Sequence, residues 1–187
     1  GTVRGISRWD GRRFDNFTTA HGLAGNNVMD IYQDRAGYIW IGTGSGVSRW
    51  DGKQFERYTT SQGLANNYVN RICEDKSGTL WFANPGIGLS RLDDGRRFSR
   101  FLIPADGVTL ENINALWPAS DSSVWVGFGV GGVARIVGTN VTAYTPATGL
   151  AASYAFTGVE DQDGVIWIGH DGDVSLFDGH AWSSLLL

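Results

Sequence analysis

The chain of 187 residues has one cysteine, four prolines and few charged side chains, and each scarcity excludes a class of protein. Because Cys73 is alone, no internal disulfide and no zinc site built from several cysteines is possible. Four prolines exclude a proline-rich linker. No apolar run approaches the roughly eighteen residues of a membrane-spanning helix, so the sequence predicts no span in this chain.

Charged residues make up 18% of the chain, and the formal net charge at pH 7 is −4. This balance argues against nucleic acid or an anionic membrane surface as the partner. Glycine and aromatic residues are abundant instead, with 27 glycines, 8 tryptophans and an aromatic content of 12%. Such a composition is typical of many short strands that are joined by tight turns around an aromatic core.

The motif Asp-x-x-Gly-x-x-Trp recurs along the chain. It begins at Asp34, Asp75 and Asp161, and a degraded copy spans residues 119–126. The tryptophans of the four copies are spaced by 41, 44 and 42 residues. A period of this length with four strand-like runs, which we name A to D, predicts one blade of a β-propeller per repeat.

We therefore predict an all-β fold, a β-propeller with four full four-stranded blades and an N-terminal half blade. Residues 1–187 form one propeller domain or a propeller fragment, with the half blade at 1–19 and blades at about 26–60, 67–102, 111–145 and 153–187. The half blade matches strands C and D. Three interpretations of ring closure follow: a fragment of a longer propeller, which we favour, a five-bladed ring with one incomplete blade, or copies that join through the half blade.

The repeated Asp34, Asp75 and Asp161 could bind calcium or a sugar, or they could build the blade. In the structural interpretation, Asp accepts backbone N–H groups in the A–B turn, Gly turns the chain and Trp packs between blades. Because every regular repeat places these residues at one position, we favour the structural role. Function is then expected where the copies differ.

One unit runs from Leu64 through Asn67 and Val69 to Asp75, Gly78 and Trp81, and it resembles the two component regulator propeller repeats. The unit from Leu23 to Thr43 has the same pattern, and the resemblance covers essentially the whole chain. It implies a bacterial, extracytoplasmic (periplasmic) sensor domain that recognises a saccharide or another small polar ligand. The blades also resemble those of streptogramin lyases, which are enzymes.

The D–A and B–C loops are predicted to lie on one face, near the propeller axis, where propellers usually bind ligands. The B–C loops also vary between repeats, as a composite binding site requires. The candidate ligand-binding residues in these loops are His21, Asn26, Asn66, Asn84, Phe128, His170 and Asp171. A loop-stabilising role is the alternative for the asparagines, because Asn side chains bond to local backbone.

Strand A offers a second variable position, occupied by Asp30, Arg71 and Thr157 in three of the blades. Buried polar side chains are costly unless they are hydrated or paired. These three residues are therefore expected to line a polar, hydrated channel at the axis.

Two alternatives to a sensor are retained. The first is a metal-dependent, lyase-like enzyme in which His170 and Asp171 supply a general base or metal ligands. The second is a scaffold or propeller-assembly fragment without a ligand. The favoured interpretation is a binding module without catalytic residues, metal or cofactor, which associates with a saccharide and, for ring closure, with further blades or copies of itself.

Overall fold

The computed structural model describes residues 1–93, 97–103 and 112–186, and its regular structure is β-strand apart from three single-turn 3-10 helices. The predicted C–D turn at residues 94–95 and most of the long loop at 103–112 lie outside the described residues. The strands of the half blade and blade 1 are β1 Ile6–Trp9, β2 Phe14–Phe17, β3 Val28–Gln33, β4 Ile39–Thr43, β5 Gly46–Trp50 and β6 Phe55–Tyr58. Those of blade 2 are β7 Arg71–Glu74, β8 Leu80–Asn84, β9 Gly88–Leu92 and β10 Phe98–Phe101.

Blades 3 and 4 follow the same order. The strands of blade 3 are β11 Ile113–Pro118, β12 Val124–Phe128, β13 Val133–Val137 and β14 Asn140–Tyr144. Those of blade 4 are β15 Thr157–Glu160, β16 Ile166–Gly169, β17 Asp173–Phe177 and β18 Trp182–Leu186. The 3-10 helices are Thr19–His21, Thr60–Gln62 and Pro146–Thr148. No helix in the described part of the chain has the length and apolar character needed to cross a membrane.

The described strands form one two-stranded sheet, β1–β2, and four four-stranded sheets in which consecutive strands are hydrogen-bonded neighbours. The predicted all-β fold, with four full blades and a half blade, is confirmed. Because neighbouring strands are antiparallel, the A–B and C–D turns lie at one end of each blade, which we call the turn end. The B–C and D–A loops lie at the other end, which we call the loop end.

The chain divides into two compact units. Unit 1 comprises Gly1–Cys73, Gly78–Asn84 and Gly88–Phe101, so it holds the half blade, blade 1 and most of blade 2. Unit 2 comprises Glu74–Ser77, Pro85–Ile87 and Leu102–Leu187, and it holds blades 3 and 4. Each unit has its own aromatic core.

The core of unit 1 is formed where blade 1 faces blade 2. Trp40 of blade 1 packs edge-on against Phe82 of blade 2, with ring centroids 5.4 Å apart. Tyr58 and Phe98 extend this contact between the outer strands at 5.2 Å. Trp40 is 1% exposed and Phe82 is completely buried, so the motif tryptophan fills the space between blades as predicted.

Unit 2 repeats this arrangement with larger rings. Trp125 of blade 3 lies 5.8 Å from Phe177 and 6.2 Å from Trp182, both of blade 4. Tyr144 stacks on Trp125 at 5.6 Å. Burial of aromatic area of this kind is the main stabilising contribution in a small sheet protein.

The Asp of the repeat motif holds both the A–B turn and the tryptophan. Asp34 accepts the Tyr38 N–H at 2.9 Å and the Trp40 Nε1–H at 2.7 Å. Asp161 does the same for Val165 at 3.0 Å and for Trp167 at 2.6 Å. The observed bonds therefore match the structural interpretation of this motif in blades 1 and 4.

The half blade begins with Thr2, which makes the bonds of a strand B terminus. Its Oγ1–H donates to the Gly5 carbonyl at 3.0 Å, as Thr43 Oγ1–H donates to Gly46 at 2.7 Å. Its carbonyl accepts the Val28 N–H at 3.0 Å. Thr2 therefore makes the same contacts as Thr43, whose carbonyl accepts the Val69 N–H at 3.0 Å.

Candidate ligand-binding site

His21 caps the 3-10 helix of the first D–A loop. Its Nδ1 accepts the Thr18 N–H at 3.1 Å, so the neutral ring carries its proton on Nε2. Gln62 occupies the same position in the next loop and accepts the Thr59 N–H at 2.8 Å. His21 therefore stabilises the start of the 3-10 helix, as the Gln62 amide does in the next loop. The His21 side chain is also exposed to solvent.

Asn26 and Asn66 occupy different positions of the D–A loop. Asn26 accepts the Thr19 N–H at 2.8 Å, and its equivalent in the next loop is Asn67, which accepts the Thr60 N–H at 2.8 Å. Asn66 lies one residue earlier and accepts the Tyr68 N–H at 3.1 Å. These contacts fit the loop-stabilising alternative, and Asn26 also stays exposed to solvent.

Asn84 connects the B–C and D–A loops of blade 2 from inside the protein. Its side chain is completely buried. Nδ2 donates to the carbonyls of Asn66 and Tyr68 at 2.9 and 3.0 Å, and Oδ1 accepts the Ser90 hydroxyl at 2.6 Å. All three bonds are internal, so Asn84 positions the loop above it.

His170 takes the corresponding place in blade 4. Its Nδ1 lies 2.7 Å from the Tyr154 carbonyl and therefore donates, while Nε2, 2.8 Å from Ser175 Oγ, accepts the hydroxyl proton. The side chain is 9% exposed. Both ring nitrogens are therefore hydrogen-bonded within the protein. Asp171, the next residue, is exposed.

Variation between the B–C loops follows a structural rule. In blades 1 and 3 a glycine N–H bonds the carbonyl that precedes strand A: Gly44 to Asn27 at 3.1 Å and Gly129 to Asn112 at 2.7 Å. In blades 2 and 4 the side chains of Asn84 and His170 bond that carbonyl instead. Phe128, which precedes Gly129, is completely buried.

A buried serine on strand C supports each regular D–A loop, and sequence reasoning missed it. Ser48, Ser90 and Ser175 are completely buried. Their hydroxyls accept the N–H groups of Ala24, Ala65 and Ala151 at 2.8, 2.9 and 2.9 Å. The signal was a Gly-Leu-Ala triplet that recurs at residues 22–24, 63–65 and 149–151.

Among the predicted channel residues, Asp30 links two blades. Its Oδ2 accepts the Ile72 N–H of blade 2 at 2.8 Å, and its Oδ1 accepts the Ile31 N–H at 2.9 Å. Arg71 donates from Nη1 to the Asn70 carbonyl at 2.6 Å, and Thr157 in unit 2 is exposed. Their role as channel lining stays a prediction.

One position at the end of the D–A loop is exposed in every blade, and it was also missed. It lies directly before strand A in blades 1 and 3 and three residues before strand A in blades 2 and 4. Its occupants are Asn27 and Tyr68 in unit 1 and Asn112 and Tyr154 in unit 2. Tyr68 and Tyr154 are each 39% exposed. Tyr154 also contacts Phe156, which is 48% exposed, with ring centroids 4.5 Å apart. The two Asn-Asn pairs, 26–27 and 66–67, are 40 residues apart, whereas the repeat is 41 residues long. This one-residue offset was the sign in the sequence that Tyr68, and not Asn67, is equivalent to Asn27.

The described residues contain no group of three or more His, Cys, Asp or Glu side chains arranged to hold a metal ion. Cys73 is buried. The lyase-like alternative assigned a base and metal ligands to His170 and Asp171. Of these two, only the Asp171 carboxylate is exposed to solvent.

Comparison with known proteins identifies the repeats. The family model for two component regulator propellers matches residues 22–45 and 63–86, which in blades 1 and 2 run from the D–A loop through strands A and B. The predicted repeat family is confirmed by these segments. No curated protein sequence matches the chain.

Solved structures match over nearly the whole chain. The extracellular domain of a protein described as a hybrid two component system from B. thetaiotaomicron is 23% identical with a TM-score of 0.83, covering 99% of this chain and 26% of that one. The extracellular domain of a one component system from the same organism is 20% identical with a TM-score of 0.81, covering 100% and 29%. Virginiamycin B lyase from Staphylococcus aureus is 16% identical with a TM-score of 0.77, covering 99% and 64%.

This chain thus spans about a quarter of the length of the two extracellular domains. At these identities the likeness establishes the fold, and it agrees with the sheet order and the repeat period. The chain is therefore a β-propeller that carries two component regulator propeller repeats in its first two full blades.

Proposed function

We propose that this chain is the ligand-binding part of a bacterial sensor propeller and that it binds a saccharide at the loop end of its blades. The exposed position before strand A carries the proposal. In unit 1 it presents Asn27 and Tyr68, and in unit 2, taken by itself, it presents Asn112 and Tyr154, so each unit offers an amide and a phenol ring. Amides bond to sugar hydroxyls, and aromatic rings stack on the apolar faces of sugar rings.

The aromatic pair of Tyr154 and Phe156 supports this proposal. Both rings are more than a third exposed, although neither is needed to cover the described core. The Tyr154 carbonyl is fixed by His170, so the ring is presented from a rigid loop. A preorganised aromatic surface loses little conformational entropy when a ligand binds.

Within the predicted set, His21, Asn26 and Asp171 are exposed and would contact a ligand directly. Asn84 and His170 would act indirectly, because they hold the loops that carry Tyr68 and Tyr154. The extracellular domains of signalling proteins among the structural neighbours support a sensor role and an extracytoplasmic location. Both remain part of the proposal.

The test is calorimetric titration with a panel of neutral oligosaccharides, namely cellotriose, maltotriose, xylotriose and mannotriose. At least one should bind the wild-type chain, and the double variant Tyr154→Ala, Phe156→Ala, which removes the aromatic pair of unit 2, should weaken binding roughly tenfold, given about 0.5–1.5 kcal/mol for each aromatic contact. Phe14→Ala is the matched control, because that ring is 65% exposed on the half blade. Equal loss in both variants, or no binding by the wild type, would contradict the proposal.

A further inference from the structure

Unit 2 contains a cavity of about 210 Å³ at the turn end, between blades 3 and 4. Its wall includes the A–B turn of blade 3, the end of strand A of blade 4, and aromatic rings of both blades. The lining residues that matter here are Ala119, Asp121, Trp125, Arg135, Glu160 and Phe177. None of them belongs to the loop end.

The cavity lies where the repeat motif has lost its carboxylate. In blades 1 and 4, Asp34 and Asp161 place a carboxylate beside the motif tryptophan and accept its Nε1–H. Ala119 occupies that position in blade 3 and has no side-chain oxygen to offer Trp125. The space of the missing carboxylate and the indole N–H of Trp125 are therefore available to a molecule that enters the cavity.

Arg135 adds a positive charge to the wall. Its Nη2 pairs with Asp121, and its Nε is buried without a hydrogen-bond partner among the described residues. Arg91 in blade 2 has the same unpartnered Nε, so this atom indicates no ligand. What is particular to blade 3 is a missing carboxylate beside an adjoining cavity.

Two carboxylates supply acceptors. Glu160 receives the N–H and the hydroxyl of Ser120, one on each oxygen, and retains further lone pairs. Burial acts to raise the pKa of Asp121, but hydrogen bonds from Ser123 and Arg135 outweigh it and hold that pKa below its usual value. Asp121 therefore stays ionised at neutral pH, and the formal charges of Asp121, Glu160 and Arg135 give the wall a net charge of −1.

We infer that this cavity is a binding site for a neutral, polyhydroxylated ligand of monosaccharide size. Hydroxyl groups both donate and accept, so one ligand can accept the Trp125 indole proton and donate to Glu160. Ala119, Ile166 and Phe177 add apolar atoms to the lining, which suit the C–H groups of a sugar ring. The net negative charge disfavours an anion. This site is distinct from the loop-end site, and the two proposals are tested independently.

The experiment titrates D-glucose, D-galactose, D-mannose and D-xylose, with D-glucuronate as the anionic comparison, into the ¹⁵N-labelled chain. At least one neutral sugar should bind with a dissociation constant on the order of 1 mM and shift the Trp125 indole resonance. Ala119→Asp fills the cavity with the carboxylate found in the other blades, and should weaken this binding tenfold or more. Ala36→Asp, an exposed A–B turn position of blade 1, is the control and should leave it unchanged.

Three results would overturn the inference: no neutral sugar shifts Trp125, Ala119→Asp binds as well as the wild type, or only glucuronate binds. Loss of oligosaccharide binding in the Tyr154 and Phe156 variant with unchanged Trp125 shifts would leave this site intact. The converse pattern would remove this site and leave the loop-end proposal standing.

Discussion

The A–B turns of blades 4 and 3 have the same length and register but different chemistry. In blade 4, Asp161 accepts both the Val165 N–H and the Trp167 indole N–H. In blade 3, Ala119 stands at that position, and Asp121 accepts the corresponding Ser123 N–H. In blade 3 the acceptor for the backbone N–H is thus supplied by Asp121, two residues after Ala119. Ala119 offers no acceptor for the indole N–H of Trp125.

The B–C loops give the opposite case. Asn84 and His170 differ in chemistry, yet each bonds a D–A carbonyl on one side and a strand C serine on the other. The change of residue type is thus compensated, because both residues make the same two kinds of bond. At Ala119 the lost contact has not been replaced, and this difference is the basis of the ligand site that we propose there.

The largest expected effect comes from making blade 1 resemble blade 3. Asp34→Ala removes the acceptor of the Trp40 indole, which is 1% exposed and would be left buried without a partner. We expect a loss of about 3 kcal/mol in the free energy of unfolding, measured in urea. Asp163→Ala, at an exposed position of the blade 4 turn, should change it by less than about 0.5 kcal/mol. Similar losses in the two variants would break the comparison.

A second prediction concerns His170 of blade 4 and its equivalent Asn84 of blade 2, which make the same two kinds of hydrogen bond. His170→Ala should cost about 2 kcal/mol, because the Tyr154 carbonyl and the Ser175 hydroxyl lose a buried partner. His170→Asn, which installs the blade 2 residue, should cost less than about 1 kcal/mol because it can restore both bonds. Urea unfolding of the two variants measures this difference. An alanine variant as stable as the asparagine variant would show that the bonds contribute little.

The turn residue Ser122 provides a smaller effect. It has a positive φ of 68°, where the equivalent Gly164 has φ of 82°. Ser122→Gly relieves about 1 kcal/mol of left-handed strain but increases the entropy of the unfolded chain, so a net gain of about 0.5 kcal/mol is expected. The reciprocal Gly164→Ser should be destabilising in thermal unfolding. If both substitutions change stability in the same direction, strain is not the cause.

The smallest effect is the pH dependence of the blade 4 turn. The Trp167 indole and the turn N–H groups lower the pKa of Asp161 in the folded state. The stability from this carboxylate is therefore complete above its unfolded pKa of about 3.9 and is lost as pH falls through the folded value. The difference in Tm between wild type and Asp161→Asn should shrink between pH 5 and roughly pH 2. A constant difference would exclude this linkage.

The fold could be predicted from the sequence because the repeated motif contains the residues that form the A–B turn and pack between blades. Asp34 and Trp40 recur at a fixed spacing, and a tight turn with an aromatic packing residue has few other solutions. The candidate site was harder, because a single loop residue does not reveal its burial. Asn84 and His170 vary between blades, as residues of a binding site are expected to do. Their bonds to Ser90 and Ser175 could not be predicted, because these serines lie on another strand. Ala119 was recognised as a degraded copy, and only three-dimensional packing reveals the cavity beside it.

The most direct test of the account is the indole resonance of Trp125 in Ala119→Asp, observed by ¹H–¹⁵N NMR. The restored carboxylate should accept the indole proton, as Asp34 does from Trp40. The account predicts a downfield shift of the Nε1–H resonance and slower exchange with solvent than in the wild type, with Ala36→Asp unchanged. A Trp125 resonance that keeps its wild-type position and exchange rate would contradict the claim that blade 3 lacks this one contact.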